Sequence, residues 1–238
     1  MKKINFDDKF EIYLFTDPDE TLGTSKLGEF LSFLKFNKIN LPYKFTYVSA
    51  MASLIPELTM IQNILIDFSP DSLTESKDIQ FQDFLKSQPN RALEELYHKL
   101  ELPNEFPNQA NAQMKKLCTL IKSLLYEGQF IFLEEPELDL DKDILELFKK
   151  ALKEQVINNQ MNVFIFSKES NLWRNETHNT VERMKDYSFQ VTKLPGLGDW
   201  KKERDLFFKK THRHDQSGIL NFHYKNKDES KKNKKVAA

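Results

Sequence analysis

Glu134 and Glu135 stand side by side at the end of an apolar run, Phe130-Ile131-Phe132-Leu133. Pro136 follows, and the stretch closes through Glu137-Leu138-Asp139-Leu140-Asp141. Four consecutive apolar residues suit a strand buried on both faces, as in a parallel sheet. The two carboxylates then emerge at the strand's carboxyl end, where open α/β sheets place their ligands. Paired carboxylates in that position could hold Mg²⁺ through water and orient an attacking water for phosphoryl transfer. That chemistry also needs something to hold phosphate, and the rest of the chain decides whether it is there.

The elements that would position the pair can be read from periodicity. Residues 10 to 15 (FEIYLF) form a buried-strand pattern that runs into the turn-rich Thr16-Asp17-Pro18-Asp19-Glu20. From Lys26 to Phe36, Leu27, Phe30, Leu31, Phe33 and Leu34 recur at helical spacing. Residues 45 to 48 suit a short strand, and 59 to 68 suit a helix with Thr59 as its N-cap. The stretch 70 to 107 is polar and helical, with an amphipathic segment over 91 to 100. Residues 111 to 127 give a strong helix with Leu117, Leu120, Ile121, Leu124 and Leu125 on one face, ended by Gly128. After the carboxylate strand come a helix over 143 to 156 and a second apolar strand over 163 to 166. This alternation predicts an α/β fold, a largely parallel sheet with covering helices. The pattern decays after Phe189, and residues 225 to 235 are a lysine-rich tail with the composition of a disordered segment.

Composition narrows the field. A chain of 238 residues can bury a full core. Its 35 basic and 36 acidic side chains give a net charge of -1, so no global field draws it to nucleic acid or anionic lipid. The single cysteine, Cys118, excludes an internal disulfide framework and sits in the apolar stripe of a helix, where it reads as packing. No apolar run approaches the ~20 residues that span a bilayer, and a cytoplasmic chain is expected. Twenty Phe against only 6 Gly favour packed elements over flexible loops.

Four segments, in one order, resemble an ATP-binding cassette ATPase subunit of the transporter type over about residues 10 to 190. FIFLEEPELDLD resembles the family's Walker B strand and D-loop. ANAQMKKLCTLIKSLLYEG is similar to its signature motif and helix. YVSAMASLIPELTMIQNI is similar to the Q-loop region, and VFIFSKES takes the place of the switch-histidine strand. The resemblance implies a P-loop NTPase-like sheet built from residues 1–69 and 111–195. It also implies an inserted helical sub-domain over 70–110, leaving 196–238 as a C-terminal extension. ATP and Mg²⁺ are the cofactors it would bring.

The departures from the family pattern matter as much. The phosphate loop GxxxxGK[ST] curls its backbone amides around phosphate and needs glycine to do so. Here the region reads TDPDETLGTSKLGEFL. Matching Lys26 to the family lysine puts Glu20 at the first glycine, Ser25 at the second and Leu27 at the metal-binding hydroxyl. Asp17, Asp19 and Glu20 would place negative charge where a triphosphate should sit. Ala50 stands at the Q-loop glutamine. Gln113 alone survives of the signature, at the position that faces a partner's nucleotide. Glu134 replaces the Walker B aspartate that holds the metal. Lys168 replaces the switch histidine and has no neutral tautomer to accept one proton and donate another. Glu135 keeps the position of the catalytic base, either working or vestigial. Hydrogen bonds to a charged group are worth roughly 1.5–3 kcal/mol each, so losing three or four removes on the order of 5–12 kcal/mol. A micromolar ligand has only about 8 kcal/mol in total.

Other features carry blander readings. Asp139 and Asp141 could extend an acidic metal site, but a helix N-cap before Lys142 explains them better. His212 and His214 lack the neighbours of a metal site, Trp173 and Trp200 suit packing, and the lysine tail suits solvent or an acidic surface. The expected protein is a degenerate, non-catalytic cassette subunit at the inner face of the membrane through a partner. That partner would be a membrane-spanning transporter subunit, an intact cassette ATPase or a second copy of the chain. In the family, the groove by the Q-loop and helical sub-domain receives the membrane subunit, which here points to Ala50 to Pro56 and the helices of 70–107. Two alternatives stay open. One is a divergent active ATPase that uses Lys26 and Lys168 together; the other is a cassette protein acting on nucleic acid, against which the neutral charge argues.

Overall fold

The structure, a computed structural model, describes residues 4, 6, 10–16, 25–39, 44–67, 78–126, 128–195, 197, 200 and 202. The acidic turn at Asp17, Asp19 and Glu20, the His212/His214 pair and the lysine tail lie outside them. The six described strands form one sheet: β1 (Ile12–Thr16), β2 (Phe45–Val48), β3 (Phe130–Glu134), β4 (Asn162–Phe166), β5 (Asn179–Arg183) and β6 (Phe189–Lys193), in the order β2-β3-β4-β1-β5-β6. All pairings are parallel except β5 with β6. The helices are α1 (Lys26–Phe36), α2 (Met60–Leu65), α3 (Asp78–Ser87), α4 (Arg91–His98), α5 (Ala112–Leu125) and α6 (Lys142–Asn159).

The expected α/β sheet is therefore present, and its central strands carry their two faces in the sequence. Alternate residues of a strand point to opposite sides. In β1, β3 and β4 the aromatics all fall on one side: Tyr13 and Phe15, Phe130 and Phe132, Phe164 and Phe166, joined by Phe30 and Phe33 of α1. Ile12, Leu14, Ile131, Leu133, Val163 and Ile165 fall on the other, against α2, α4, α5 and α6. Phe164 is the centre of the aromatic side. It stacks on Tyr13 at 5.1 Å and lies within 6.3 Å of Phe6, Phe15, Phe30, Phe33 and Phe130. Much of the Phe content is accounted for by this layer.

Sequence and structure differ at the edges. The pattern does not end at Phe189: β6 begins there and pairs with β5, a strand with no apolar run to announce it. Both are buried on one side only, through Val181 and Phe189, and so lack the continuous apolar signature of β1, β3 and β4. The helix expected over 59 to 68 is shorter, Met60–Leu65, with Thr59 and Gln62 forming the capping box at its start. Gly128 does follow the helix, but α5 already ends at Leu125. A Cβ on Gly128 would lie 2.9 Å from the Lys44 carbonyl, so the glycine lets the chain pass β2 before β3 begins. Helices α3 and α4 place Phe81, Leu85, Leu93, Leu96 and Tyr97 in the same aliphatic cluster as α5 and α6. Leu197 and Trp200 pack there too, anchoring the start of the extension. No helix among the described residues is long and apolar enough to cross a membrane.

Candidate functional site

Strands β1, β3 and β4 end together. Glu134 is in register with Phe166, and Phe15 with Phe166 on the other side, so three carboxyl ends share one rim. The strand order reverses direction here, because β1 is followed in sequence by β2 at the far edge and β4 by β5 across β1. That rim is where this architecture places a ligand. Lys26, Glu134, Glu135 and Lys168 all meet at it.

Glu135 sits at φ 43, a conformation that costs a non-glycine residue energy. Its N–H donates to the Phe166 carbonyl at 2.7 Å, and the turn behind it closes through Leu138 N–H to the Glu135 carbonyl at 3.1 Å. This twist aims its side chain along the rim, where an Oε1 oxygen lies 2.9 Å from the Lys168 ammonium. The carboxylate is largely buried and the lysine mostly exposed. Glu134 is engaged as well: its carboxylate accepts from the Tyr47 hydroxyl, whose ring stacks on Phe132 at 5.6 Å. Burial, and then the hydrogen bond to Glu134, push the Tyr47 phenol above its ordinary 10.0, so it stays a donor.

The loop that follows is fixed by Glu137. Its carboxylate accepts from the Ser167 hydroxyl and, at 2.8 Å, from the Trp173 indole N–H. Trp173, fully buried, is thus both packing and an anchor for this turn. Asp141 is the N-cap of α6 and accepts from Ile144 N–H at 2.8 Å, as the sequence suggested. Gln113 Oε1 accepts from Asp141 N–H at 2.8 Å, tying the first turn of α5 to that cap within one chain.

At the start of α1, Ser25 is the N-cap and accepts from Gly28 N–H at 3.1 Å. The helix begins at Lys26, the position matched to the phosphate-loop lysine. Its ammonium lies 3.8 Å from the centroid of the Phe166 ring, a cation–π contact. Leu27, at the hydroxyl position, packs against the aromatic cluster and offers no oxygen to a metal.

The residue that sequence reasoning missed is Lys116, on α5. It is fully buried, and its ammonium donates to the carbonyls of Ala50 at 2.8 Å, Ser49 at 3.0 Å and Glu134 at 3.4 Å. Ala50, at the Q-loop position, therefore meets the site through its backbone. Burial pulls the lysine down to about 8 from its ordinary 10.5, against the opposing pull of Glu137, Asp139, Glu134 and Glu135. Nearby, the buried Asn63 organises the loop before α2. Its Oδ1 accepts from Ile55 N–H at 2.7 Å, and its amide group donates to the carbonyls of Ile55, Leu58 and Thr59 at 3.0 Å.

The residues present do not suit Mg²⁺. Hard cations take several oxygen ligands, and here the two rim carboxylates face a hydroxyl donor and an ammonium. Among the described residues, no three His, Cys, Asp or Glu side chains are grouped to hold a metal ion. Of the phosphate-loop positions, Lys26 lies over the Phe166 ring and the half-buried Leu27 packs against the aromatic cluster.

No protein-family model matches the sequence, and no curated protein does. Solved structures do match in shape. The ATP-binding cassette MJ0796, a dimer in a post-hydrolysis state bound to ADP and Pi, superposes with a TM-score of 0.56 at 15% identity, covering 79% of this chain and 88% of its own. The ATP-binding subunit of an ABC transporter gives 0.55 at 13% identity, covering 84% and 83%. RNase-L Inhibitor gives 0.54 at 15% identity, covering 85% of this chain and 37% of its own. With strand order, rim position and these superpositions in agreement, the chain has the fold of the ATP-binding cassette ATPase domains, a P-loop NTPase-type, mostly parallel sheet with covering helices.

Proposed function

We propose that this chain is a degenerate, non-catalytic cassette subunit, which serves a transporter-type complex as an adaptor or as the passive half of an ATPase pair. One observation carries the reading: both rim carboxylates are engaged by the protein's own donors, Glu134 by Tyr47 and Glu135 by Lys168 at 2.9 Å. A general base must accept a proton from water, and one of the two Glu135 oxygens is already paired with the Lys168 ammonium. Phosphoryl transfer depends almost wholly on positioning and electrostatics, so losing the metal ligands and the phosphate loop together leaves little for one carboxylate to do. The partner surface stands beside the site. Met51 is 78% exposed, Ile55 42% and Phe106 43%. Their loops are held together by Met60 N–H to the Glu105 carbonyl at 2.9 Å and Ile61 N–H to the Pro103 carbonyl at 2.7 Å. An apolar face of this kind, on loops pinned to the core, suits the cytoplasmic helix of a membrane-spanning subunit.

The test is a thermal melt of the purified chain with millimolar ATP and Mg²⁺. An intact site at a ligand concentration one hundred times its Kd gains about 2.7 kcal/mol. For a chain of this size that is roughly 5–11 °C. Here the expected shift is below about 1 °C. A shift of several degrees that Lys26→Ala or Glu135→Gln abolishes would overturn the reading and favour a divergent, nucleotide-using ATPase.

A further inference from the structure

Lys116 is the group on the page that the proposed function leaves unused. A desolvated ammonium is costly unless every proton finds an acceptor. Here the three protons meet three carbonyls, those of Ser49, Ala50 and Glu134. Two belong to the segment leaving β2 and one to the last residue of β3, while the lysine itself rises from α5. The negative charges of Glu137, Asp139, Glu134 and Glu135 act on the same ammonium and oppose the effect of its burial.

We propose that Lys116 and the acidic tip of β3 form an internal electrostatic clip, which positions the Ser49–Ala50 loop and with it the partner-facing Met51 and Ile55. The proposal rests on the reading of Met51 and Ile55 as partner-facing. It gives the carboxylates of Glu134, Glu135, Glu137 and Asp139 a role that needs no metal: they offset part of the cost of burying the lysine's charge, while the three carbonyls hold it in place. Lys116 is a positioning residue. Its ammonium fixes the near end of the loop, and Asn63 fixes the far end through Ile55, Leu58 and Thr59. The stretch from Met51 to Leu54, in which Met51 and Ser53 are exposed and Leu54 packs against the core, is thereby held between two anchors. A partner meeting it finds the loop already ordered and loses less conformational freedom on binding.

The experiment needs no partner. Backbone ¹⁵N relaxation on the full chain gives order parameters, about 0.85 where the backbone is rigid and below about 0.6 where it is flexible. In the wild type, residues 49 to 51 should sit near the rigid value. Lys116→Met keeps the length and apolar stem but removes all three donors, and should drop those residues below about 0.6 while residues 118 to 124 of α5 stay unchanged. Lys116→Gln returns an amide with two donors and should restore part of the order. Equal order at 49 to 51 in the wild type and in Lys116→Met would overturn the proposal, as would a wild-type loop that is already flexible. If Lys116→Met does not fold, Lys116→Gln decides by the same comparison, because lost order there supports the clip and unchanged order refutes it. Failure here leaves the partner-docking reading standing. That reading falls separately, if charge placed at Met51 and Phe106 leaves partner binding intact.

Discussion

Lys116 should make the protein more stable as the solution becomes mildly alkaline, and the size of the effect follows from its surroundings. Burial lowers this lysine from 10.5 in the unfolded chain to about 8 in the fold. Below pH 8 both states carry the proton, and keeping it in the core costs the folded state about 3 kcal/mol. Between 8 and 10.5 the unfolded chain holds more protons than the native one, so stability rises with pH at about 1.4 kcal/mol per unit. Cys118 runs the other way. Burial lifts its thiol from 9.0 to about 12, so above pH 9 the unfolded chain sheds a proton that the fold retains, and the two slopes cancel. Tyr13, raised by burial and then by Glu11, adds a further loss above 10. The expected profile climbs by about 1 kcal/mol from pH 8 to 9, levels off, and falls beyond 10. Urea unfolding in steps of half a pH unit measures it, with a midpoint gain of roughly 0.5 M between pH 8 and 9. In Lys116→Met the climb should vanish and the fall should begin at 9, whereas in Cys118→Ala the climb should continue toward 10. A midpoint that falls steadily from pH 7 to 9, or a climb that survives Lys116→Met, would refute the reasoning.

Three other outcomes are expected. Phe164→Ala empties the centre of the aromatic layer and should cost about 4 kcal/mol in denaturant unfolding, against about 1 for Ile165→Val on the opposite face. Lys168→Ala should change stability by less than about 1 kcal/mol, because the lysine end of its ion pair is mostly exposed, and should create no ATP turnover; turnover would mean that Lys168 alone was holding back a competent Glu135. Placing aspartate at Met51 and Phe106 together should reduce co-purification with a membrane-spanning partner and leave the melting temperature within about 1 °C, since both are surface positions.

What could be read in advance, and what could not, divides along the line between pattern and partner. FIFL, VFIF and IYLF announce buried strands because every position is apolar, and their alternation of aromatic with aliphatic residues already encodes the two layers on which the sheet lies. NTVER and FQVTK give no such notice: each buries one side, and a two-residue period over five polar-rich positions resembles loop. The rim shows the same division. Glu134 and Glu135 stand out because two acids follow an apolar run, but their disposition depends on Tyr47 and Lys168, one on a different strand and the other beyond α6. Lys116 was the least legible of all. It precedes Leu117 and lies four residues before Leu120, at the flank of a stripe that proves wide enough to bury Ser123 as well, yet a lysine at the flank of an amphipathic helix reads as solvated. Lys122 on the same helix is that ordinary case, reaching Asp67 at 2.9 Å at the surface. The sequence assigns both residues the same charge and the same helix. What separates them is three main-chain carbonyls brought from two other elements, and only the assembled sheet can deliver those.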